Sequence, residues 1–282
     1  MKASFSIALL LSAAFLTACG GSSKSKQTVA EFSLTPYEGR TVNTNSIAGT
    51  WVTVGLGQGA GTYDGGSSSF EKAFKNYVVI RENGSGGYEI SDCYGGFEAL
   101  AVNGNSIAFY EYESLDLEAS STGTISNNNQ ISGSEIGRYT WGESGEYSES
   151  YDGTFEGVKI SDSVAEFGEI TLSDGVTSAY DIYCFSHKSN AWSGSGGSGT
   201  LTELEVGGST NSAQLVKWQG DESWSYIGTY LNRNSTSYDF DTDYGDSVSF
   251  SIDEETTSNY VISFEGASDE ESVEGAIVIE LP

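Results

Sequence analysis

The sequence predicts an all-β protein of antiparallel strands, and three observations carry that prediction. The 282 residues include 36 Gly and 2 Pro, with abundant Ser and Thr, a composition of strands and turns rather than helices. The 17 Tyr, 13 Phe and 5 Trp are enough to build a core despite the acidity of the chain. β-rich runs are separated by Asn-Gly and Gly-rich turns. Tyr77–Arg81 and Tyr88–Ser91 flank Asn83-Gly84-Ser85-Gly86-Gly87, and Ala99–Val102 and Ile107–Tyr110 flank Asn103-Gly104-Asn105. Asn-Gly accepts positive φ at both central turn positions, which matches the twist of hairpin strands. Two such hairpins in succession read as a meander, in a barrel or a sandwich.

Further strands are predicted at 136–141, 146–151, 153–160, 165–172, 176–185, 199–206, 212–219, 223–231, 237–252, 259–265 and 272–281, with a turn at Ser173-Asp174-Gly175. One short helix is predicted at 69–76. Ser69 is placed to cap it, and Phe70, Ala73, Phe74 and Tyr77 recur at helical spacing. The stretch SGSGGSG, from Ser193 to Gly199, has the composition of a flexible linker. It would divide a domain at 46–190 from one at 191–282; the alternative is one large barrel with this stretch as a loop. Ile47-Ala48-Gly49-Thr50-Trp51 resembles the opening strand of lipocalin-like barrels, which implies a barrel beginning there.

Residues 1–18 read as a secretory signal peptide: Lys2 supplies the positive start, Phe5 to Phe15 a short apolar core, and small residues follow. Leu16-Thr17-Ala18-Cys19 resembles the lipobox of bacterial lipoproteins. The resemblance implies cleavage behind Ala18 and lipidation of Cys19. Gly20 stands where an Asp would retain the protein at the inner membrane, so the resemblance implies sorting to the outer membrane. Residues 19–45 then form the lipidated cysteine and a flexible tether.

Asp and Glu number 40 against 12 Lys and Arg, a formal charge of −28. That balance excludes nucleic acid as a partner, because a phosphate backbone would be repelled. It also keeps the body off an anionic membrane surface, leaving the lipid anchor as the membrane contact.

Cys93 and Cys184 remain once Cys19 is lipidated, and an even pair in an oxidising compartment most simply forms one disulfide; two buried free thiols are the rival reading. The single His187 disfavours zinc and leaves a serine hydrolase without a choice of base. Asp239, Asp241 and Asp243 alternate in sequence and resemble the start of Asp-rich calcium loops. Calcium is the one metal worth considering, against a strand whose aspartates simply face water. No other cofactor is expected. A glycosidase needs only two carboxylates, but no general acid stands out.

The most informative stretch is 223–231. One face of a strand there carries Trp224, Tyr226, Gly228 and Tyr230, and the other carries Ile227 and Leu231. If the aliphatic face is core, the rings form a platform around a glycine gap, suited to a glycan or peptide; otherwise they belong to the core. The sequence therefore points to an envelope lipoprotein with a binding or structural role rather than an enzyme. A carboxylate-based glycan hydrolase and a purely structural protein whose partner is another envelope protein are the alternatives.

Overall fold

The computed structural model describes residues 28–63, 66–94, 96–113, 117–141, 147–172, 178–195, 197–209, 211–220, 223–231 and 236–282. The signal segment, Cys19 and the predicted turn at Ser173–Gly175 lie outside these residues. The all-β class predicted from composition and turns holds: among the described residues, beyond two short 3-10 turns, every regular element is a strand.

Eight strands follow one another as a meander: β1 (Gly49–Tyr63), β2 (Gly66–Glu82), β3 (Tyr88–Asp92), β4 (Gly96–Asn103), β5 (Ser106–Glu113), β6 (Leu117–Ser126), β7 (Gln130–Trp141) and β8 (Tyr147–Ser161). β8 returns to pair with β1, which also pairs with β2, and so closes an antiparallel barrel. Both predicted hairpins are present. Asn83 Oδ1 accepts from the backbone N–H groups of Ser85 and Gly87 at 3.0 and 2.9 Å, while Gly86 and Gly104 take positive φ, as tight turns require. Trp51, fully buried at the start of β1, donates from Nε1 to the Ile47 carbonyl at 2.8 Å. It packs with Ile80, Leu100, Ile107 and Phe155 in the barrel core.

After β8 come β9 (Gly168–Leu172), β10 (Ser178–Ile182), β11 (Cys184–Gly194), β12 (Gly197–Gly207), β13 (Asn211–Gly220), β14 (Trp224–Leu231), β15 (Thr236–Asp241), β16 (Ser247–Glu255), β17 (Asn259–Ala267) and β18 (Ser272–Glu280). Strands β11 to β15 extend the barrel sheet outward from β2, and a five-stranded sheet, β10-β9-β18-β17-β16, packs on one face of that extension. The sandwich core between them contains Tyr77, Phe185, Leu215, Ile227, Tyr260 and Ile277. SGSGGSG, expected as a linker, lies at the turn between β11 and β12, whose residues pair from Cys184–Gly207 to Gly194–Gly197 within one continuous sheet.

β2 is shared by the barrel and the sandwich, and this explains the misread helix. Residues 69–76 are strand, not helix. Phe74 belongs to the barrel core and Tyr77 to the sandwich core, so both faces of β2 are apolar. Rings on alternating faces then mimic the i, i+3, i+4 spacing of an amphipathic helix.

Part of the predicted tether packs on the body. Among the described residues of 28–45, the Ala30 N–H donates to Ser189 Oγ at 3.0 Å, and Phe32 meets His187 edge-on at 4.9 Å. Tyr37 is 97% buried, its hydroxyl bonded to that of Tyr77. A polar-looking segment is thus held to the body by two rings, Phe32 and Tyr37, and a few hydrogen bonds.

At the fork where β2 exchanges β3 for β11, β3 pairs with β2 only through Ile80–Glu82, while β11 takes Ser68–Val78. Ser91 Oγ accepts from the Val79 N–H at 2.8 Å and donates to the Tyr183 carbonyl at 2.6 Å. The disulfide Cys93–Cys184, with its Cα atoms 4.9 Å apart, closes the same fork.

Candidate functional site

Strand alternation sends the sandwich-core residues to one face of β2 and β11–β15 and leaves a continuous second face that runs into the barrel interior. Cross-strand pairing aligns its residues: Lys72 on β2 with Asn190 on β11, Phe70 with Trp192, Lys188 with Glu203 on β12, and Leu201 with Trp218 on β13. On β14, Trp224 opposes Trp218 and Tyr226 opposes Val216. Trp218 and Trp224 are 6% and 8% exposed and pack with Val216, Trp192, Leu201 and Tyr226. Phe70 stacks on Trp192 at 4.3 Å and faces Tyr151 of β8 at 6.2 Å. An aromatic belt therefore runs from the barrel wall to β14.

Glycine makes room for these rings. Phe74 lies against Gly55, Tyr151 against Gly57 and Gly153, Phe70 against Gly59, and Trp218 against Gly199. A side chain at any of these glycines would meet a ring. The same holds at Gly228, where the phenol of Tyr226 lies over the glycine. The gap predicted there admits the protein's own ring.

The predicted division of β14 into two faces agrees with the burial: Ile227 is fully buried in the sandwich core, and Trp224 and Tyr226 sit opposite. Trp224 is neither an exposed plate nor part of the main core; it belongs to a satellite cluster. The side chain of Tyr230 lies outside the described residues, and its backbone pairs with Ser212.

Four buried polar atoms on the second face have no hydrogen-bond partner: Tyr151 Oη, Asn190 Oδ1, Trp218 Nε1 and Trp224 Nε1. Each such atom costs about 1–3 kcal/mol in desolvation, and native proteins carry few of them. Lys72 lies over the rings of Tyr151 and Phe74, with Nζ 4.7 and 5.6 Å from the centroids. By contrast, a shallow groove of about 530 Å³ on the outer face of the five-stranded sheet, lined by Ser249, Ser251, Ser263, Glu265 and Thr171, has none of these unpartnered atoms along it.

Below the belt is a charged centre. Lys188 Nζ is 2.6 Å from Glu205 Oε2 and 3.5 Å from Glu203 Oε2. Gln214 donates to Glu203 Oε1 at 2.5 Å, and the Tyr94 hydroxyl donates to Glu205 Oε1 at 2.8 Å. Burial drives the Glu203 carboxyl up. Burial also acts to raise Glu205, but Lys188 and the Tyr94 hydroxyl outweigh it and hold that carboxylate down. For Lys188, desolvation is outweighed by the two glutamates, and its ammonium is held charged. Tyr110 of β5 is 43% accessible, yet desolvation, then Glu135 and Tyr139, push its phenol up, while Lys188 acts in the opposite sense.

The three aspartates do not converge. Asp239 lies near the Tyr226 phenol and, after burial, helps to push it up. Asp241 caps a 3-10 turn at Thr242–Tyr244, accepting from the Asp243 N–H at 2.9 Å. Among the described residues no three His, Cys, Asp or Glu side chains form a metal-holding group. His187 faces the other way, toward Phe32 and the sandwich, where burial lowers its pKa to about 4. No protein-family model, characterised protein or solved structure matches this chain.

Proposed function

We propose that this is a binding protein of the bacterial cell envelope, held at the outer membrane by lipidated Cys19, and that its aromatic face takes a glycan. The anchor rests on Leu16-Thr17-Ala18-Cys19. The ligand class rests on one observation: four unpartnered buried polar atoms lie on the face that carries Trp192, Trp218, Trp224 and Tyr226. A sugar offers flat C–H faces for stacking and hydroxyls that both donate and accept, which suits indole N–H, phenol and amide groups together. The carboxylates of Glu203 and Glu205 are engaged by Lys188, Gln214 and Tyr94, which favours binding without turnover over hydrolysis.

Two experiments test this. Oligosaccharides from a panel of neutral and acidic sugars should quench tryptophan fluorescence saturably, with no new reducing ends. Trp224→Phe keeps a ring but removes the donor. It should leave the melting transition in place and weaken binding about five- to tenfold, the worth of about one hydrogen bond. A flat response across the panel removes the glycan reading, and accumulating reducing ends would restore the hydrolase. For the anchor, Cys19→Ser should move the protein out of the membrane fraction or leave it uncleaved. Unchanged fractionation, with an unmodified N-terminus on the mature chain, ends the lipoprotein reading.

A further inference from the structure

Among the lysines and arginines in the described strands, Lys72 and the exposed Lys217 alone pair with no carboxylate, and of the two only Lys72 lies against the aromatic face. Lys75, Arg81, Arg138, Lys159 and Lys188 each lie within 2.5–2.7 Å of a carboxylate oxygen. Lys72 has no carboxylate within 4 Å among the described residues. That is unexpected in a chain with more than three acids for each base, unless acids are kept away from it. The pairing does keep them away: directly across from Lys72 stand Gly57 on β1 and Asn190 on β11, and the same-face neighbours along β2 are Phe70 and Phe74. Glu135 is near enough to push the Tyr151 phenol up, yet it makes no ion pair with Lys72.

The groups around this ammonium are the unpartnered ones. Its Nζ lies 4.7 Å from the centroid of the Tyr151 ring. Tyr151 is 91% buried, and its hydroxyl has no partner. Asn190, directly across, has an unpartnered Oδ1. An ammonium and a phenol O–H are two donors for one anionic oxygen pair, and the amide oxygen beside them accepts a hydroxyl. The neighbouring Phe70–Trp192 stack provides an apolar surface for the ring of the same sugar unit.

Building on the glycan reading above, we infer that the glycan is acidic: a carboxylate-bearing sugar whose carboxylate is taken by Lys72 and Tyr151, with a hydroxyl on Asn190. The overall field opposes this, since a body with a formal charge of −28 repels anions. At physiological salt that repulsion is screened beyond about 8 Å, whereas a contact at Lys72 is not. A preference for the charged sugar must therefore come from the site itself.

The test uses the full mature chain and a set of uronic-acid tetrasaccharides, each paired with its carboxyl-reduced neutral counterpart, titrated by calorimetry at pH 7. The parent should bind at least one acidic member about tenfold more tightly than its neutral counterpart. Lys72→Met, which keeps the stem over the rings, should bring the acidic affinity down to that of the neutral counterpart, with an unchanged melting temperature showing that the fold is kept. Equal binding of both forms by the parent overturns the inference and leaves the glycan reading standing, as does an acid preference that survives Lys72→Met. If neither form binds the parent, the glycan reading falls and the inference falls with it.

Discussion

Removing the Cys93–Cys184 disulfide should lower the unfolding free energy by about 4–5 kcal/mol, the chain-entropy value for a loop of this length. The cysteines are 91 residues apart, so the bond restrains a large part of the unfolded chain. It also sits where the folded wall is thinnest. β3 is tied to β2 through three residue pairs, and β4 to β5 through three more, Ala101–Asn103 with Ser106–Ala108. Urea unfolding of the parent and of Cys93→Ala/Cys184→Ala should show the loss as a lower midpoint. Hydrogen exchange should show the β3–β4 hairpin opening first, because short ladders with few partners open at the lowest free energy. A change below about 1 kcal/mol would mean that the disulfide only decorates a fork already held by Ser91 and the Arg81–Glu89 ion pair.

Much of this fold is written in local sequence. Asn83, Gly86 and Gly104 act within their own turns, so the hairpins they close are readable from a few residues. The two faces of β14 are readable for the same reason, since Ile227 alternates with Trp224 and Tyr226 in a single strand. What fails locally is whatever depends on two burial environments meeting. Residues 69–76 look helical because Phe70 and Phe74 point into the barrel while Ala73 and Tyr77 point outward, toward the sandwich side. No window of sequence reveals that both sides are covered.

The belt was only half legible for a related reason. Phe70 meets Trp192, and Lys72 meets Asn190, across more than 100 residues of chain. Pairings of that range leave no periodic trace. One signal was present in β1: Gly55, Gly57 and Gly59 fall at every second position, the period of a strand face. Three glycines on one face mark a wall against which rings must lie flat, here Phe74, Tyr151 and Phe70. The tether misleads in the opposite direction, because most of 28–45 is polar and only the scattered Phe32, Leu34 and Tyr37 reveal that it packs.

The second large effect should come from Lys188. Replacing it with Met should cost about 3–5 kcal/mol at pH 7, because it leaves Glu203 and Glu205 facing each other in a site with little water. Their side chains are 14% and 5% exposed. The pH dependence identifies the cause. In the parent, Glu205 is held below the usual carboxylate range by Lys188 and Tyr94, burial notwithstanding, so its contribution is present at neutral pH and disappears only in acid. Without the ammonium, only the hydrogen bonds from Tyr94 and Gln214 still oppose burial, and both carboxyls should titrate above their unfolded values. The folded variant then binds more protons than its unfolded chain, and its stability should rise as the pH falls from 7 toward 5. The gap between parent and variant should therefore narrow over that interval. Lys188→Met/Glu203→Gln/Glu205→Gln should recover most of the loss, since the uncompensated charges leave together with the cation. A gap that stays constant from pH 7 to 5, or a triple variant no more stable than the single one, would show that Lys188 serves through the packing of its stem rather than through its charge.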